Sequence, residues 1–138
     1  LLSLLLILLM IGMISTWRKR IPLTYKKLDY TFLESPPERA LRRLKSLDGH
    51  SSTSKDYYAE LSHISREYVE RKYFIRTLEM TTEEIIDNQD LFPWESQQFF
   101  TWSQFLEEAD LVKYARDIPT SEKITLDKEK VVSLIEHI

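Results

Sequence analysis

The sequence predicts an all-α protein, in which an N-terminal transmembrane helix precedes a small cytoplasmic bundle of about five helices. First, residues 1–17 carry no charge and lead directly into Arg18, Lys19 and Arg20. Second, two glycines in 138 residues leave little material for the tight turns of a sheet. Third, apolar residues recur at helical spacing after residue 35. The predicted organisation is a span over 1–17, a basic connector over 18–35 and a helical domain over 36–138.

The N-terminal segment is short for a span, because 17 helical residues cover about 25 Å of a hydrocarbon core of about 30 Å. The chain opens on Leu1, so upstream residues are expected to complete the span. A signal peptide and a buried core helix are the alternatives. A signal peptide places its basic residues before the apolar run, whereas here they follow it. Basic residues flanking a span mark its cytoplasmic side, which predicts a cytoplasmic C-terminal domain.

Charge is divided unevenly along the chain. Residues 18–46 contain nine Lys or Arg against three acidic residues, and residues 47–138 contain ten against nineteen. The basic part predicts contact with anionic lipid, worth about 1 kcal/mol for each basic residue near the surface. The predicted membrane-surface residues are Arg18, Lys19, Arg20, Lys26 and Lys27. Ordinary stop-transfer and solvated charges explain them equally well. The acidic distal part argues against nucleic acid as a partner.

The first two helices are predicted from caps and apolar stripes. Ser35 caps the first, Pro36 and Pro37 fit its opening turn, and it ends near Gly49. Its apolar stripe is Ala40, Leu41, Leu44 and Leu47. Thr53 or Ser54 caps the second, which covers residues 55–74. Its apolar face is expected to contain Tyr57, Leu61, Ile64 and Tyr68, flanked by Tyr58, Ser65, Val69 and Lys72.

Three further helices follow. Thr81 and Glu84 have the spacing of a capping box, which predicts a short helix to about Asn88. The next is expected to open at Pro93 and end near Arg116. Its core candidates are Phe99, Trp102, Phe105, Leu106, Ala109 and Val112. After a polar stretch over 120–125, a last helix is predicted from Val131, Leu134, Ile135 and Ile138.

The sequence offers no pattern typical of catalysis. Cysteine is absent, and His50, His63 and His137 are too far apart in sequence for metal-ligand spacing. There is no glycine-rich phosphate loop and no nucleophile elbow. Neighbouring carboxylates such as Glu107 and Glu108 point about 100° apart on a helix, as expected of a solvated face. We therefore predict a non-enzyme without cofactor, metal or small-molecule substrate.

Several segments together resemble the cytoplasmic helical domain of Bat-type bacterial membrane proteins. They are residues 57–62, 66–73, 81–85 and 109–116, with Leu106 and Pro119. Such proteins are encoded beside MoxR-type AAA+ ATPases and are associated with aerotolerance and envelope stress. The resemblance covers residues 36–138 and implies a single-pass protein of the bacterial inner membrane, with an extracytoplasmic portion before Leu1. Its motifs are structural, so no catalytic residue is carried over.

The resemblance implies an accessory protein that docks a MoxR-type ATPase or von Willebrand A-type membrane partners. Exposed charges beside the two best motifs are the predicted partner contacts: Arg66, Glu70, Arg71, Asp110, Lys113 and Arg116. For each residue, ordinary solvated charge is the alternative. Two other functions remain open from the residues alone. One is a membrane-anchored regulatory module that sequesters a soluble signalling or transcription factor. The other is a structural subunit of a membrane complex, assembled through the span at Gly12.

Overall fold

The computed structural model describes Met10, residues 33–49 and residues 53–138. The chain divides into two compact units, Leu1–Leu33 and Glu34–Ile138, and the second contains every helix discussed below. The predicted span over 1–17, apart from Met10, lies outside the described residues, as do Arg18, Lys19, Arg20, Lys26 and Lys27. No helix among the described residues has both the length and the apolar character needed to cross a membrane.

Residues 36–138 are all-helical where described, without strands, so the all-α prediction is confirmed for this part of the chain. Five α-helices lie in the described part of residues 33–138: α1 (Pro36–Leu47), α2 (Ser54–Tyr73), α3 (Thr82–Asp87), α4 (Ser96–Tyr114) and α5 (Ser121–His137). Short 3₁₀ turns at Thr77–Glu79 and Gln89–Leu91 flank α3.

Local side-chain caps define where the helices start. The predicted capping box of α3 is confirmed: the Glu84 amide donates to Thr81 Oγ1 at 3.1 Å, and the Thr81 amide donates to the Glu84 carboxylate at 2.8 Å. Two predicted starts were wrong. Helix α4 begins at Ser96 instead of Pro93, because Glu95 is its N-cap. Helix α5 begins inside the polar stretch, because Thr120 caps it.

Helix α2 is the centre of the fold. It packs against α1, α4 and α5, while α5 also contacts α1 and α4, and α3 packs on α4. The core candidates predicted for α4 are all buried, and in α2 Leu61, Ile64 and Tyr68 are buried as expected. Tyr58 is fully buried, whereas its neighbour Tyr57 is only half-buried and packs at the edge. The predicted stripe of α2 is therefore buried except at Tyr57, and the buried face also includes Tyr58 of the predicted flank, which reaches a partner on α5.

An aromatic cluster closes one end of the bundle. Phe92 and Trp94, which precede α4, stack on Phe99 and Trp102 with ring centroids 5.1–6.3 Å apart. The indole N–H of Trp102 donates to the buried Ser65 hydroxyl at 3.2 Å. This hydrogen bond satisfies a polar atom in the core and fixes the register between α2 and α4.

Candidate protein-docking site

An open groove of about 480 Å³ runs between α4 and α5. Its floor is formed by side chains that also belong to the core: Trp102, Phe105, Val131 and Leu134. Its rim is polar and includes Gln97 and Thr101 on α4 and Ser133 and His137 on α5. An apolar floor with a polar rim is typical of a surface that receives apolar side chains of a ligand or a partner helix.

A buried charge cluster closes one end of the groove. Asp127 on α5 is fully buried, and it accepts hydrogen bonds from the Tyr58 hydroxyl at 2.6 Å and from Lys130 at 3.0 Å. Lys123 bridges Asp127 and Glu108, with its Nζ 2.8 Å from the Glu108 carboxylate. Burial, followed by the hydrogen bond to Asp127, raises the pKa of Tyr58. The hydrogen bond to Glu108 raises the pKa of Lys123. The cluster therefore holds a buried carboxylate with paired cations beside an apolar floor.

The sequence analysis missed Asp127, although a signal was present. Asp127, Val131 and Leu134 have i, i+4, i+7 spacing, so the buried stripe of α5 begins one turn earlier than its apolar residues indicate. Tyr58 was placed on the flank of α2 because nothing near it in sequence marks its partner, which lies 69 residues away.

Three of the predicted partner-binding charges lie together and hold elements of the fold. The Arg66 guanidinium donates to the Met80 carbonyl at 2.6 Å and to the Thr82 hydroxyl at 2.7 Å. That hydroxyl donates to Asp110, whose carboxylate also pairs with Lys113 at 2.8 Å. Burial lowers the pKa of Arg66, opposed by the charge of Asp110. This network ties α2 and α4 to the N-terminus of α3.

The other three predicted charges lie apart from this network. Glu70 accepts a hydrogen bond from the Leu78 amide at 3.0 Å and thereby orders the first 3₁₀ turn. Arg71 is exposed and pairs with Glu67 at 3.0 Å. Arg116 is exposed and adopts a left-handed backbone conformation with φ of 58°. The structure thus brings three of the six predicted charges into one network and places the other three apart, and most of the six have intramolecular partners.

Glu67 is the centre of a second ion-pair cluster, between α1 and α2. Arg39, Arg43 and Arg71 all contact its carboxylate, which is only 12% exposed. Burial alone raises the pKa of Glu67, but the hydrogen bond from Arg39 and the charges of Arg43 and Arg39 outweigh it and lower the pKa. Arg43 also reaches Glu60 on α2. The cluster fixes α1 to α2.

Within the described residues, no group of three or more His, Asp or Glu side chains has the arrangement of a metal site. Comparisons with protein-family models, with curated proteins and with solved structures found no match to this chain. Its function is therefore inferred from the groove, the charge clusters and the motifs in its own sequence.

Proposed function

We propose that the protein is a non-catalytic, membrane-anchored accessory protein whose helical domain docks a protein partner at the cytoplasmic face of the bacterial inner membrane. The apolar run over residues 1–17 followed by Arg18, Lys19 and Arg20 supports the anchor and its orientation. The groove between α4 and α5 supports the docking role, and it is the observation on which the proposal chiefly rests.

The groove suits an amphipathic helix better than a small polar molecule. Its floor side chains Trp102 and Phe105 are almost completely buried, so they give the groove a rigid shape, and the exposed apolar side chain of its lining is Leu126, at 57%. A rigid floor loses little conformational entropy on binding, which favours protein contacts. The rim residues Gln97, Thr101 and Ser133 supply uncharged hydrogen-bonding groups around the floor. A partner helix would place apolar side chains on the floor and polar ones at the rim.

The resemblance to Bat-type proteins identifies the expected partner. On that basis the partner is a MoxR-type AAA+ ATPase or a von Willebrand A-type membrane protein, in a process of envelope stress or assembly. The regulatory alternative shares the groove, since sequestering a soluble signalling or transcription factor also needs an apolar surface for a helix. The two functions differ in the partner that the groove holds.

A pair of substitutions to tryptophan tests the proposal. Gln97 on α4 and His63 on α2 are both exposed, but Gln97 lines the groove and His63 does not. Gln97→Trp fills the groove with an indole, whereas His63→Trp adds the same side chain outside it. Each full-length variant is cross-linked in its native membranes, purified, and its partners are identified by mass spectrometry.

The proposal predicts that a MoxR-type ATPase or a von Willebrand A-type protein is recovered with the wild type and with His63→Trp but is lost with Gln97→Trp. Equal recovery of the partner with the wild type and both variants would show that the groove takes no part in the interaction. A transcription or signalling factor that is lost only with Gln97→Trp would replace the accessory function with the regulatory one.

A further inference from the structure

Three large apolar side chains on the outer face of α4 are exposed, and no described element covers them. Phe100, Leu111 and Tyr114 are 58%, 53% and 78% exposed, while the opposite face of the same helix is buried in the core. Phe100, Gln104, Glu107, Leu111 and Tyr114 have i, i+4, i+7, i+11, i+14 spacing, so the three apolar side chains share one stripe with Gln104 and Glu107. Large exposed apolar side chains on one helix face, framed by polar residues, are typical of an interaction surface.

The chain segment that forms most of this surface is acidic. Residues 77–112, which contain α3 and most of α4, have nine carboxylates and no Lys, Arg or His. A shallow depression between α3 and α4 is lined by Thr82, Glu83, Ile86, Glu107 and Asp110. Glu83 and Glu107 are exposed and make no ion pair with a described residue. The carboxylates of Glu83 and Glu107 are therefore available to form ion pairs with a partner at this stripe.

Two cations beside this surface, Lys113 and Arg66, are already engaged, and the exposed Arg116 follows the end of the stripe. Lys113 is 2.8 Å from the Asp110 carboxylate, and its side chain is only 13% exposed. Arg66 donates to the Met80 carbonyl and to the Thr82 hydroxyl. Neither can move to neutralise Glu83 or Glu107 without breaking these contacts. The potential at the face thus stays negative, which repels phosphate groups of nucleic acids and anionic lipid and attracts cations.

We infer that the outer face of α4, together with α3, binds a basic amphipathic helix of a protein partner. Apolar side chains of that helix pack on Phe100, Leu111 and Tyr114, and its Lys or Arg residues pair with Glu83 and Glu107. The stripe from Phe100 to Tyr114 is about 21 Å long at the helical rise, which matches about four turns of a partner helix. This face is separate from the groove between α4 and α5, so the inference stands whether or not the groove binds a partner.

The test uses synthetic peptides as defined probes. One is an 18-residue amphipathic Leu/Lys helix, about the length of the stripe plus one turn, and the other is its Leu/Glu counterpart. Binding of each labelled peptide to the full 138-residue chain in neutral detergent is followed by fluorescence anisotropy, with detergent alone as the blank. The expected result is binding of the Leu/Lys helix that weakens as salt is added, and no binding of the Leu/Glu helix.

Charge reversal at two matched sites separates this face from general electrostatic attraction. The double variant Glu83→Lys, Glu107→Lys alters the proposed face, and Glu129→Lys, Glu136→Lys makes the same change of net charge at exposed positions on α5. The first pair is expected to raise the Kd of the Leu/Lys helix about tenfold or more, and the second less than about twofold. Glu129 also lines the groove, so the second pair reports binding there.

A matched apolar pair gives a second readout. Leu111→Ala should weaken binding several-fold, whereas Leu126→Ala, at a leucine of similar exposure on α5, should not. Circular dichroism and thermal unfolding confirm that each variant is folded. Three results of the peptide experiment would overturn the inference: no binding of the Leu/Lys helix to the wild type, equal weakening by the two double variants, or weakening by the α5 double variant alone. A fourth is a dimer in sedimentation analysis that only the α3–α4 double variant disrupts. The last result would identify the face as an interface between two copies of this chain.

Discussion

Replacing Tyr58 with phenylalanine tests whether the buried cluster at the end of the groove stabilises the fold. The substitution removes one hydroxyl and leaves the ring, so it isolates the hydrogen bond of 2.6 Å to Asp127. Both residues are fully buried, and the acceptor is a carboxylate. A hydrogen bond to a charged group contributes about 1.5–3 kcal/mol, and here water cannot replace the lost donor. In the Tyr58→Phe variant, Lys130 still pairs with Asp127. The expected decrease in the free energy of unfolding is therefore smaller than for a buried charge without any partner.

We expect Tyr58→Phe to lower the free energy of unfolding by about 2 kcal/mol, which corresponds to about 9 °C in Tm for a unit of this size. The measurement is urea unfolding of the full chain, followed by circular dichroism at neutral pH. Tyr57→Phe is the matched control, because Tyr57 is the adjacent residue, is half-buried and makes no hydrogen bond to a described residue through its hydroxyl. Its expected cost is below about 0.5 kcal/mol.

A double-mutant cycle with Asp127→Asn completes this test. If Tyr58 acts through Asp127, the two substitutions together should cost less than the sum of their separate effects, with a coupling of about 1 kcal/mol or more. Equal costs for Tyr58→Phe and Tyr57→Phe would refute the reasoning, since the buried hydroxyl would then contribute nothing. Additive effects in the cycle would show that the hydroxyl acts through another partner.

Three further predictions concern the other charge clusters. The pKa of Glu67 is lower in the folded state than its unfolded-state value of 4.5. Its contribution to stability is therefore present above pH 4.5 and is lost as the pH falls through the lower folded-state pKa. Urea titrations at several pH values should show that Glu67→Gln reduces the loss of unfolding free energy in acid. Arg116→Gly should raise the free energy of unfolding, measured with denaturant, by about 1 kcal/mol, because glycine adopts a φ of 58° without strain. A lower free energy of unfolding would mean that the arginine side chain makes stabilising contacts. Asp110→Lys should lower the free energy of unfolding in denaturant by about 2 kcal/mol or more, because it places a like charge beside Lys113 and removes the hydrogen-bond acceptor of Thr82. An unchanged midpoint of the denaturant transition would mean that this network does not hold α3 in place.

Local sequence signals predicted the helices well because those signals act within one or two turns. Thr81 with Glu84, and Ser35 before two prolines, mark helix starts through contacts over three residues. The buried face of α4 followed from its apolar spacing alone. The predicted start of α4 was wrong because a proline such as Pro93 fits two settings equally well. It can occupy the first turn of a helix, or it can lie in a loop, as it does here before the N-cap Glu95. Boundaries of this kind depend on packing that the local sequence does not contain.

The candidate sites depended on contacts between distant parts of the chain. Arg66 and Asp110 lie in the two motifs that the sequence analysis singled out, but their partners on α3 made them structural ties instead of free charges. Asp127 lies between the polar stretch over 120–125 and the apolar residues predicted for α5, and it belongs to the core because Tyr58 and Lys130 satisfy its carboxylate. Neither outcome follows from spacing within one helix.

The sequence by itself determined that residues 36–138 form an all-α domain, since helical periodicity, caps and the scarcity of glycine are properties of short segments. The tertiary structure alone decided which charges are paired, that Tyr58 instead of Tyr57 is fully buried, and where α4 and α5 leave a groove. The physical reason is that burial and ion pairing depend on distances between residues far apart in the chain. Those distances are fixed only when the helices pack against one another.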